Sequence, residues 1–133
     1  MITEDYVSFE TAKLLKEKGF EGNSIFTIYD ENAANAYIKE LQEKHLPYSS
    51  DDPKLKEFYY TKPTLQMARR WLTTVHNLFI TFELDFSDGA YPMFDAVVYN
   101  LATCEKYPII NYDRYSYIKG TEAAIKYCLE NLI

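Results

Sequence analysis

The stretch Leu78-Phe79-Ile80-Thr81-Phe82-Glu83-Leu84-Asp85-Phe86 decides the fold class. Leu78, Ile80, Phe82, Leu84 and Phe86 alternate with Phe79, Thr81, Glu83 and Asp85. Successive side chains of a strand point to opposite faces, so this period predicts a half-buried strand with one wet face. A sheet covered on one face only is usually antiparallel. The next strand follows at once. Ser87-Asp88-Gly89 reads as a turn, and residues 92–102 are apolar on both faces, as a central strand should be. Glu105-Lys106-Tyr107-Pro108 reads as a further turn, and residues 109–112 as a third strand that 115–118 extends or follows.

Helical periods flank these strands. Thr64 is expected to cap a helix over Leu65–His76, whose stripe is Leu65, Ala68, Leu72 and Val75, widened by Met67 and Trp71. Ser8 can cap a helix over 9–18 that stops at Gly19. Asn32 can cap 33–44, and Thr121 the last helix, with Ala124, Ile125, Cys128, Leu129 and Leu132 inward. Glu122, Lys126 and Glu130 would form a charge ladder outside it. Residues 24–29 read as a strand. Residues 46–63, with three prolines, read as a long connection holding a helical turn at Pro53–Phe58. The order α-β-α-α-β-β-β-α predicts a single α+β domain over residues 1–133. Its antiparallel sheet would have about three to five strands, with helices on one face.

The 133 residues carry a net charge of −6, and 47% are apolar, enough for a packed core without a staple. No apolar run is long enough to cross a membrane. Met1-Ile2-Thr3-Glu4-Asp5 has no basic start and no apolar stretch, so no export signal is expected. Cys104 and Cys128 are then expected as reduced thiols in a cytoplasmic setting. The first sixty residues hold 12 acids against 7 bases, which disfavours broad binding to nucleic-acid phosphates. There is no phosphate loop, no G-x-G-x-x-G, no paired-cysteine metal spacing and no G-x-S-x-G, so no cofactor or metal is expected.

Three segments bear a likeness to known chains. They run from Glu4-Asp5-Tyr6-Val7-Ser8-Phe9 to Gly19-Phe20, from Met67-Ala68-Arg69-Arg70-Trp71 to Phe79-Ile80, and from Glu122-Ala123-Ala124 to Asn131-Leu132-Ile133. Together they resemble a group of short uncharacterised proteins from bacteriophages and mobile elements of gut anaerobes. The resemblance implies a bacterial or phage origin and work inside the host cell. It implies no catalytic residue and no cofactor.

Several side chains could carry chemistry. His76 and His45, each at a helix end, could act as a general base or simply meet the helix dipole. Cys104 lies near a turn, where a nucleophile would need a base beside it, whereas Cys128 sits on a buried stripe. Glu83, Asp85, Asp88 and Asp95 could gather round a cation or guard a strand edge. Lys62, Arg69 and Arg70 form the basic cluster that could meet a phosphate.

The most unusual feature is aromatic. Thirteen tyrosines help bring aromatic residues to 17%, and Tyr91, Tyr99, Tyr107, Tyr112, Tyr115 and Tyr117 crowd the sheet region. Tyrosine gives large contact area at small entropy cost and is enriched in binding surfaces. The leading expectation is a non-enzymatic protein–protein interaction domain, meeting a second copy as a homodimer or a host or phage protein. The alternatives are a nucleic-acid-associated or anti-defence factor using Lys62, Arg69 and Arg70, and a small enzyme using Cys104 or His76.

Overall fold

A computed structural model describes residues 5–21, 27–49, 51–111 and 113–133. Its main sheet is antiparallel, in the order β3 (Leu78–Asp85), β4 (Met93–Asn100), β5 (Lys106–Pro108). Leu78 lies opposite Asn100 and Asp85 opposite Met93, while Val98 lies opposite Tyr107. The doubly apolar segment is therefore the central strand. The period of two then divides the sheet. Leu78, Ile80, Ala96 and Val98 point into the core. Phe79, Thr81, Glu83 and Asp85 share the opposite face with Asp95, Val97 and Tyr99.

Helices α3 (Leu65–His76) and α4 (Tyr117–Tyr127), the latter running into a π-helical turn (Cys128–Leu132), pack on the inner face, and α1 (Phe9–Glu17) packs against α4. Each starts at a hydroxyl that accepts an otherwise orphaned backbone N–H. Ser8 takes that of Thr11, Thr64 that of Met67, and Ser116 that of Lys119. Leu15, Leu72, Ile125 and Leu129 meet the sheet residues fully buried, each side chain stabilising the fold by about 1.5–3 kcal/mol. Asn77 ends α3 in the left-handed region, at φ +58°, which asparagine tolerates well.

A smaller layer lies beside α1. β1 (Thr27–Tyr29) pairs antiparallel with β2 (Tyr59–Thr61), and α2 (Glu31–Glu43) and a 3-10 turn (Pro53–Phe58) join them. The Lys16 ammonium donates to the carbonyls of Glu57 at 2.6 Å and Tyr59 at 3.1 Å. α2 buries only Ala34, so its packing is slight.

The α+β class and the one-sided helical cover agree with the sequence, and five particulars differ. The described residues form two sheets, because residues 59–61 within the expected connection pair with β1. The strand after β4 is Lys106–Pro108, the expected turn, and not 109–112. Asn100 closes the reversal early: its side-chain oxygen accepts from the N–H of Ala102 and Thr103, and its N–H donates to Glu105. Ile109 still bonds Ala96, Ile110 is exposed, and Tyr112 lies outside the described residues, as do 24–26 of the first expected strand. α4 begins at Tyr117, since Ser116 is the cap, while the Thr121 hydroxyl donates to the Tyr117 carbonyl. Asp30 rather than Asn32 caps α2. Glu122 turns inward: one of its carboxylate oxygens accepts from the Ser8 N–H and the Thr11 hydroxyl, at 2.9 and 2.6 Å.

Candidate functional site

The helices do not reach the whole sheet. α3 runs back over the Leu78 end, where the Thr73 hydroxyl and an Arg69 guanidinium nitrogen donate to the outward carbonyls of Leu78 and Ile80. Toward the hairpin the cover ends. Leu84 is 52% exposed, Phe86 66% and Tyr91 71%. Leu84 and Phe86 were expected to be buried by their alternation; Leu84 keeps the core-facing side of β3 and Phe86 lies just past the strand, but both are more than half exposed. Val75, expected on the buried stripe of α3, is exposed as well.

An aromatic cluster floors this open end. The Tyr117 ring lies 4.6 Å from Phe82 and 6.1 Å from Phe94, and Phe82 meets Phe94 edge-on at 6.2 Å. Such pairs are worth about 0.5–1.5 kcal/mol beyond their burial. The Tyr117 hydroxyl accepts from Arg69 at 2.7 Å, which ties α4 to α3. Gly120 makes the cluster possible, because a Cβ there would stand 2.8 Å from a ring carbon of Phe82. Beside it, Tyr91, Pro92, Phe94, Tyr115 and Asp88 line an open hollow of about 390 Å³. The neighbouring Asp88 carboxylate raises the pKa of the Tyr115 hydroxyl.

An ion triad holds the hollow's walls. The Arg114 carbonyl accepts from Phe94 N–H, and its guanidinium donates twice to Asp95, at 2.7 Å each, and once to Asp85 at 2.9 Å. Hydrogen bonds from Ser87, followed by Arg114, bring the Asp85 carboxyl down to about 2. Glu83 pairs with Lys106 at 2.7 Å. Three of the four carboxylates singled out in the sequence thus already have cationic partners. Asp88 has none among the described residues.

The structure sorts the tyrosines. Tyr91, Tyr115 and Tyr117 converge on the open end. Tyr99 sits half-buried on the opposite sheet face. Tyr107 faces the helices, 6.4 Å from Tyr127, and its hydroxyl donates to Glu105, which raises its pKa. Phe82, Leu84, Phe86 and Phe94 join the surface although the sequence marked them as core or strand residues. Their alternation could place them on one face but could not show how far the helices extend.

Two of the three basic candidates share one hollow. Arg69, Arg70, Thr73, Thr74 and Phe79 line a hollow of about 320 Å³ beside α3, and Lys62 does not border it. Both Arg69 terminal nitrogens are engaged. The His76 ring packs edge-on against Trp71 at 4.7 Å, and its buried Nε2 has no hydrogen-bond partner among the described residues. Cys104 is exposed in the β4–β5 turn, with no base hydrogen-bonded to it among the described residues. Burial pushes the Cys128 thiol up to about 12. No protein-family model, curated protein or solved structure matches the chain.

Proposed function

We propose that this chain is a non-enzymatic protein-binding module that docks its partner on the aromatic end of the β3–β4 hairpin. It would serve as an accessory protein of the phage and mobile-element kind that three of its segments resemble. One observation carries the proposal: Leu84, Phe86, Tyr91, Tyr115 and Tyr117 are each between 46% and 71% exposed at the hairpin end of the sheet, where Tyr91 and Tyr115 line one hollow with Phe94, the Tyr117 ring meets that of Phe94, and Leu84 lies opposite Phe94. Scattered apolar side chains on a surface are ordinary, but a contiguous patch marks an interaction site. Tyrosine and phenylalanine are also the side chains that concentrate binding energy at interfaces.

Two measurements test this. Sedimentation equilibrium over rising protein concentration reads self-association. A photo-crosslinker placed at position 91, against one at the exposed Glu31 on α2, reads a partner in the expression host. Self-association abolished by Phe86→Ser and Tyr91→Ser, or a crosslinked species specific to position 91, is the expected result. A monomer at every concentration together with equal crosslinking from both positions would refute the proposal.

A further inference from the structure

The hollow lined by Tyr91, Pro92, Phe94, Tyr115 and Asp88 has the make-up of a cation receptor. Its walls are three aromatic rings, whose faces carry negative potential and attract ammonium or guanidinium groups. Its volume of about 390 Å³ is within the range of small-ligand pockets. The net charge about it is negative. Asp85, Asp95 and Arg114 together leave one negative charge, and Asp88 adds a second with no basic partner among the described residues. The whole chain carries −6. An anionic or phosphate ligand would meet this field unfavourably, and a neutral ring would leave Asp88 unanswered.

We propose that the hollow takes the cationic head of a lysine or arginine side chain from a basic partner segment. Tyr91, Phe94 and Tyr115 would enclose the head, with Asp88 as its counter-ion. This rests on the protein-binding proposal above and adds the partner's chemistry to it. Asp88 and Tyr115 border the hollow together, so an arriving cation would meet the carboxylate and the ring at once. The exposed side chains of Leu84, opposite Phe94, and of Phe86, just past the end of β3, would receive the stem of the side chain and its flanking residues, since long basic side chains lay their methylenes on apolar surface.

The test is an NMR titration of the aromatic resonances of the intact protein with matched probes. The acetylated amide of arginine is compared with that of citrulline, its neutral isostere, and tetramethylammonium with neopentyl alcohol. The cationic member of each pair should shift Tyr91, Phe94 and Tyr115 saturably, and the neutral member should not. Asp88→Asn and Tyr91→Ala, both at exposed positions, should each weaken binding several-fold. Raising the salt from about 0.1 M to about 1 M should weaken it further, as the screening length falls from about 10 to about 3 Å. Equal shifts from neutral and cationic probes, no shifts, shifts confined to other residues, or full binding by Asp88→Asn would each overturn the proposal. If crosslinking at position 91 still captures a partner in that case, the protein-binding proposal survives without the cation.

Discussion

Gly120→Ala tests the packing beneath the aromatic surface. In a helix interior alanine is better than glycine by about 0.8–1 kcal/mol. Here the new methyl would stand 2.8 Å from Phe82 Cε1 and 3.4 Å from the Asn111 amide, well inside the contact optimum of about 3.5–4.0 Å. Phe82 has Tyr117 at 4.6 Å and Phe94 at 6.2 Å, so its ring can yield only by disturbing both. Overpacking of this kind costs about 1–3 kcal/mol. The net effect should be destabilisation by about 0–2 kcal/mol, or up to roughly 8 °C in melting temperature for a domain of this size. In a Phe82→Ala background the clash is gone, and the same substitution should stabilise by about 1 kcal/mol. Urea unfolding of the four proteins of the double-mutant cycle reads the difference, expected to be at least about 1 kcal/mol. If Gly120→Ala stabilises both backgrounds equally, Gly120 is not there to admit Phe82, and the account of the cluster is wrong.

The other predictions concern charge and thiols. Glu122→Ala should cost about 2–3 kcal/mol in urea unfolding, since it strips the acceptor from the Ser8 N–H and from the hydroxyl of Thr11, a fully buried residue. Glu122→Gln, whose amide oxygen can still accept, should cost less. The Asp85 carboxyl is held at about 2, below its ordinary 3.8. Its contribution is therefore complete above pH 4 and is lost as the pH falls toward 2. Asp85→Asn should flatten the acid limb of the urea midpoint across that window, and parallel curves for the two proteins would count against it. A thiol reagent at neutral pH should modify Cys104 in the native protein and reach Cys128 only after unfolding, because Cys104 is exposed and Cys128 is buried with its thiol pushed up to about 12.

What could be read from sequence was whatever depends on near neighbours along the chain. The alternation over 78–85 is local and specified β3, its two faces and, with the doubly apolar 93–100, an antiparallel pair with β4 at the centre. The hydroxyls of Ser8 and Thr64 marked two helix starts because capping reaches only three residues ahead. Glu122, Tyr107 and Leu84 show where this stops. Glu122 looked like part of a surface ladder, but α1 and α4 cross so that its carboxylate meets Ser8 and Thr11, more than a hundred residues away. Tyr107 looked like turn, yet Asn100 closes the reversal early and sets it in a strand. Leu84 and Phe86 carried a core period that burial does not follow, because burial depends on the reach of α3 and α4. The sequence alone thus determined an α+β chain with a surplus of tyrosine. Only the tertiary structure decided which tyrosines meet. The helices cover one end of the sheet and stop short of the other, and Tyr91, Tyr115 and Tyr117 gather on the end left bare.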